Sequence, residues 1–136
     1  MPVPSSCDKP ILVCADDYGI APGVSAAIRQ LVAARRLSAT SCMVVGAWWE
    51  EEAPRLRPFQ GDVDIGLHFT LTAPFRPASD AYVPLKGDAF LPLTTTLGSA
   101  LIARLDSARI AQEMRAQIGA FSERFGFLPD YVDGHQ

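Results

Sequence analysis

Ile11-Leu12-Val13-Cys14-Ala15, closed in front by Pro10 and followed by Asp16-Asp17-Tyr18-Gly19, is the stretch on which the fold turns. Five apolar residues that run into polar turn formers predict a strand over Ile11–Ala15, buried on both faces, with a turn after it. Pro22 suits the first turn of a helix. Val24, Ile28, Leu31 and Val32 then recur at helical spacing, with Arg29, Arg35 and Arg36 mostly on the other faces or near the end. A buried strand leading into an amphipathic helix is the repeating unit of an α/β protein.

The rest of the chain repeats that alternation. Ser41–Val45 predicts a second buried strand broken by Gly46, and Trp49–Leu56 a short helix whose first turn, Glu50-Glu51-Glu52, suits the helix dipole. Asp64–Phe69 predicts a third strand. Between residues 72 and 96, Pro74, Pro77, Pro84, Gly87 and Pro92 interrupt every pattern, and an irregular segment of that length in a compact domain is usually functional or disordered. Leu97–Leu105 reads as a short helix. Ser107–Phe125 is a clear amphipathic helix with Ile110, Met114, Ile118, Phe121 and Phe125 on one face and Gly126 as its C-cap. Tyr131–Asp133 closes the series as a fourth strand. Strands separated by helices imply parallel pairing through right-handed crossovers.

Composition bounds the function. Of 136 residues, 49% are hydrophobic and 20% charged, which fits a globular domain and excludes a disordered chain, a collagen-like fibre or a coiled coil. The 12 Lys and Arg against 15 Asp and Glu give a net charge of -3 with no basic run, so no nucleic-acid partner is expected. No apolar stretch approaches the ~20 residues of a membrane span, and the N-terminus lacks the basic start and apolar core of a signal peptide. The expectation is a cytoplasmic protein with a flexible extension over residues 1–9. The 3 cysteines, Cys7, Cys14 and Cys42, match no zinc or redox spacing; Cys14 and Cys42 lie in apolar runs and are expected to be small buried hydrophobes.

The polar residues carry the functional signal through their position. Asp16 and Asp17 follow the first predicted strand, His68 falls near the end of the third and His135 just after the fourth. In barrels and open parallel sheets alike, the C-terminal strand ends share the face that bears the active site. Taken singly, the tandem aspartates could be turn or capping residues, and each histidine an ordinary hydrogen-bonded side chain. Both histidines of the chain fall on this face, however, and one carboxylate with two imidazoles makes a three-ligand set with open positions. A divalent ion there would favour hydrolysis of an amide or ester, one aspartate ligating and its neighbour acting as general base. The glycine-rich dinucleotide loop, the phosphate loop and the nucleophile elbow are all missing. Trp48 and Trp49 suit core or rim packing better than a sugar platform, whereas Phe69, Phe75, Tyr82 and Phe90 fit either a carbohydrate groove or loop packing.

Ala15-Asp-Asp-Tyr-Gly19, Thr40-Ser-Cys-Met-Val44, Gly66-Leu-His-Phe-Thr-Leu-Thr72 and Asp133-Gly-His-Gln136 together resemble the four successive signatures of the YdjC-like carbohydrate deacetylases, from about Ile11 to the last residue. That resemblance implies a parallel (β/α) barrel of the deacetylase type, present here as an incomplete barrel of about four βα units in one partial domain over residues 1–136. It implies removal of an N-acetyl group from an acetylated amino sugar or oligosaccharide, with Mg2+ or Zn2+ held by Asp17, His68 and His135 and with Asp16 as general base. Tyr18 stands where the family commonly has Phe, and Ala47-Trp48-Trp49 where Asn and Pro are more usual. The family pattern continues past Gln136 with a further His and more βα units, where the general acid is expected. A sheet ending near Val132 would leave open edges, so a homo-oligomer is expected. Two other readings remain at this point: a metallohydrolase of a phosphoester or another amide, and a non-catalytic module that binds metal or sugar.

Overall fold

The computed structural model describes residues 11–135. The expected flexible extension and Cys7 lie outside them. The chain forms β1 (Cys14–Tyr18), α1 (Pro22–Ala33), β2 (Ala39–Cys42), α2 (Trp49–Leu56), β3 (Asp64–Phe69), a hairpin of β4 (Leu85–Lys86) and β5 (Ala89–Phe90), α3 (Leu93–Leu101), α4 (Ser107–Phe125) and β6 (Val132–Gly134). One sheet has the order β1-β2-β3-β6 with every neighbouring pair parallel. The α/β class therefore holds. The sheet is open among the described residues, with β1 and β6 at its edges.

Side-chain alternation along the strands sorts the two faces of the sheet. Cys42, Ile65 and Leu67 enter the core with Ile28 and Val32 of α1, Trp49, Ala53 and Leu56 of α2, and Phe121 and Phe125 of α4. Trp49 stacks on Phe121 with ring centroids 6.1 Å apart and meets Phe125 edge-on at 5.4 Å, which settles it as a core residue. Glu52 is buried beside it, but Arg29 and Arg55 pair with its carboxylate and Tyr18 donates to its carbonyl oxygen at 2.8 Å. A buried carboxylate is tolerable only when paired in this way.

Several expectations need correction. The first strand lies three residues further on than Ile11–Ala15, and Ile11 and Leu12 are 81% and 79% exposed rather than doubly buried, because both precede β1. Cys14 is likewise exposed, whereas Cys42 is fully buried as expected. The second strand ends at Cys42, although Met43 still donates its N–H to the Tyr18 carbonyl at 2.8 Å. On α1, Val24 and Leu31 face outward and the buried stripe is Ser25, Ile28 and Val32. α3 begins and ends four residues earlier than Leu97–Leu105. α4 has the expected bounds, with Gly126 left-handed at φ 81° and Asp106 accepting at its N-terminus. Its most buried stripe is Glu113, Gln117, Phe121 and Phe125, while Ile110, Met114 and Ile118 are only half-buried.

That polar half of the α4 stripe organises the irregular segment. Gln117 pairs its side-chain amide with both backbone groups of Thr70, at 3.1 and 2.8 Å, as a neighbouring strand would. The Glu113 carboxylate accepts from the N–H groups of Ala78 and Ser79 at 2.8 and 2.9 Å and from Gln117 at 2.8 Å. A loop without its own ladder thereby has its buried backbone groups satisfied. It carries Phe75 to the C-terminal end of the sheet.

Candidate functional site

Asp16 and Asp17 lie inside β1, and the strand is deformed around them. Pairing with β2 runs Cys14↔Ala39 and Ala15↔Thr40, then resumes at Tyr18↔Cys42, so the first strand holds one extra residue there. Asp17 takes a left-handed φ of 66°. A bulge of this kind re-aims side chains that strict alternation would send to opposite faces, and here Asp17 joins the two histidines while Asp16 turns to Ser41 and Cys14 beside them. Tyr18, buried next to them, accepts from Arg29 at 2.7 Å; burial pushes its phenol up to about 12 despite that cation. Ser25 of α1 accepts the Gly19 N–H at 3.0 Å and fixes the turn that follows.

Three of the four residues expected at the site, Asp17, His68 and His135, lie together, and Asp16 is their neighbour. The Asp17 Oδ1 lies 3.0 Å from His135 Nδ1 and 3.4 Å from His68 Nε2, and the two imidazole rings meet edge-on with centroids 5.1 Å apart. One donor atom from each of Asp17, His68 and His135 lies within 4.8 Å of the others. Donors about 2.0–2.2 Å from one ion sit roughly 2.8–3.6 Å apart in octahedral or tetrahedral arrangements, and both Asp17 distances fall in that range. The Asp16 Oδ1 accepts from Ser41 at 3.0 Å and from the Cys14 thiol at 3.3 Å, beside the trio rather than within it. His135 is placed by its own N–H, which donates to the Phe69 carbonyl at 2.9 Å and extends the β3–β6 pairing, and by Phe75, whose ring lies edge-on at 5.5 Å.

Two participants went unrecognised in the residue pattern. Asp133 Oδ1 is 2.7 Å from His68 Nδ1, a short contact that puts a proton on Nδ1 and leaves the Nε2 lone pair directed at the Asp17 side. Carboxylates that orient ligating imidazoles in this way are a general feature of metal sites. The signal was available in the parallel register, which pairs His68 with Asp133. Ser41, fully buried in β2, lies 3.1 Å from the same Nδ1. Beneath them the Tyr131 ring covers Gly66, where any Cβ would fall 2.5 Å from the ring, and its hydroxyl meets Cys14 Sγ at 3.0 Å. Burial pushes both the Cys14 thiol and the Tyr131 phenol above their ordinary values.

The aromatic residues divide: Tyr82 and Phe90 are buried against each other in the loop, with centroids 5.1 Å apart, whereas Phe75 reaches the site. Beside it, Ile20, Val45, Ala47 and Pro74 line an open apolar cavity of about 370 Å³. No helix among the described residues is long and apolar enough to cross a membrane.

The chain is 29% identical over 130 residues to a human carbohydrate deacetylase, covering 93% of this chain and 40% of that protein. It is 31% identical over 137 residues to a chitooligosaccharide deacetylase of Yersinia enterocolitica, covering 94% and 49%. The chain thus spans about half the length of the curated relatives it matches. A crystal structure of a candidate cellobiose-phosphate cleavage protein from Enterococcus faecalis superimposes with a TM-score of 0.72 at 24% identity over 91% of this chain and 47% of that one, which shows a shared fold. The YdjC-like protein family matches residues 10–136, and the chain belongs to that family.

Proposed function

We propose that this chain carries the metal and base half of a deacetylase site that hydrolyses the N-acetyl group of an acetylated amino sugar or oligosaccharide. The observation that carries the reading is the convergence of Asp17, His68 and His135 within one 4.8 Å cluster, with Asp16 anchored beside it. A divalent ion, Mg2+ or Zn2+, bound by those three side chains supplies Lewis acidity toward a carbonyl and lowers the pKa of water. The chain's own residues do the rest. Asp133 holds the His68 ring with Nε2 free to ligate, and Asp16, its Oδ1 already accepting two hydrogen bonds, offers Oδ2 to take the proton of the attacking water. The curated relatives named as deacetylases of carbohydrate and of chitooligosaccharide support the choice of bond and substrate class. Cys14 and Cys42, free thiols among the described residues, suit a reducing cytoplasmic compartment.

The test is acetate release from N-acetylglucosamine oligomers, measured with the chain supplied with Mg2+ or Zn2+ and again after chelation. Acetate production that stops with the chelator and returns with the ion is the expected result. Phosphate release from phosphoesters without acetate release would favour the other hydrolase reading, and binding without either product would favour a non-catalytic module.

A further inference from the structure

The hydrogen bonds of Ser41 give this residue a role that rests on the deacetylase reading above. Ser41 is fully buried in β2, and its Oγ touches two polar partners, His68 Nδ1 at 3.1 Å and Asp16 Oδ1 at 3.0 Å. The His68 Nδ1 carries its proton because Asp133 Oδ1 accepts from it at 2.7 Å. Toward that N–H the serine oxygen can act only as acceptor. Its single hydroxyl hydrogen is therefore committed to the Asp16 carboxylate. Asp16 Oδ1 receives a second, weaker donor from the Cys14 thiol at 3.3 Å, and Oδ2 has no hydrogen-bond partner among the described residues. One carboxylate oxygen is held and the other is free.

We infer that Ser41 is the positioning residue of the site, tying the proposed base Asp16 to the proposed ligand His68 through one hydroxyl so that Asp16 presents Oδ2 to the reacting water. The link sets Asp16 of β1 and His68 of β3 in one fixed relation. Asp16, exposed on the bulged edge strand, has no other strong donor among the described residues to fix its rotamer. A catalytic group that is misplaced by a fraction of its reach loses much of its effect even when its chemistry is intact.

Ser41→Ala, which removes only the hydroxyl, is the variant to examine, by crystallography and by acetate release, with Asp16→Asn as reference. In the crystal structure the Asp16 carboxylate should rotate away or split between rotamers while His68 stays on Asp133; an Asp16 side chain left in place would overturn the role. In kinetics kcat should fall about 10- to 100-fold with KM little changed, Ser41→Thr should recover most of the loss, and Ser41→Ala should add nothing in an Asp16→Asn background. Additive losses in the double variant, or full activity in Ser41→Ala while Asp16→Asn is inactive, would also overturn it. Full activity in Asp16→Asn would sink the deacetylase reading of Asp16 itself. If the wild-type chain releases no acetate, the crystallographic result alone decides whether Ser41 orients Asp16.

Discussion

Asp133 shows how much of the site depends on pairs that are remote in sequence. As read along the chain, it is the last residue of the fourth predicted strand, and nothing in its neighbours marks it for a site. Its partner, His68, lies 65 residues away, and the two meet because β3 and β6 pair in a register that sets them side by side. The tandem aspartates and the two histidines were legible because each sits near the end of a recognisable strand; an orienting carboxylate or a connecting serine announces itself only once register is known. Removing Asp133 should loosen the His68 ring without removing a ligand. Asp133→Ala is expected to weaken divalent-ion affinity by about 10- to 100-fold with the far-ultraviolet dichroism unchanged; titration calorimetry checks this, and an unaltered affinity would detach Asp133 from the site.

Among the elements, agreement between sequence and structure followed how strongly local and tertiary signals coincide. Long amphipathic α4, capped by Asp106 and stopped by left-handed Gly126, was legible to the residue, as was β3, buried over most of its length. β1 was displaced because Asp16-Asp17-Tyr18 looks like the end of a strand, whereas the bulge and the buried Tyr18 carry pairing through it to Cys42. The buried stripe of α4 was misjudged for a related reason: Glu113 and Gln117 look like solvent-facing residues, yet they bind the backbone of the loop that an apolar face could not satisfy. The proline-broken segment gave no regular pattern, and its order comes from those borrowed hydrogen bonds.

On the scale of the whole molecule, three helices cover one face of a four-stranded parallel sheet while the other face carries the polar cluster. The edges at β1 and β6 are unpaired among the described residues, and Ile11, Leu12, Leu128 and Val132 are exposed near them. Open parallel edges flanked by apolar side chains favour pairing with another chain. We expect the isolated 136-residue chain to self-associate in sedimentation velocity experiments at micromolar concentration; a single monomeric species across that range would contradict this. The proposed ion site joins β1, β3 and the residue after β6, so its occupancy couples three separated parts of the chain. Titration calorimetry with Zn2+ and Mg2+ on the wild-type chain and on His68→Ala tests the central claim most directly. One ion per wild-type chain and none on a folded His68→Ala chain is the predicted result; equal stoichiometry and affinity in the two proteins would contradict it.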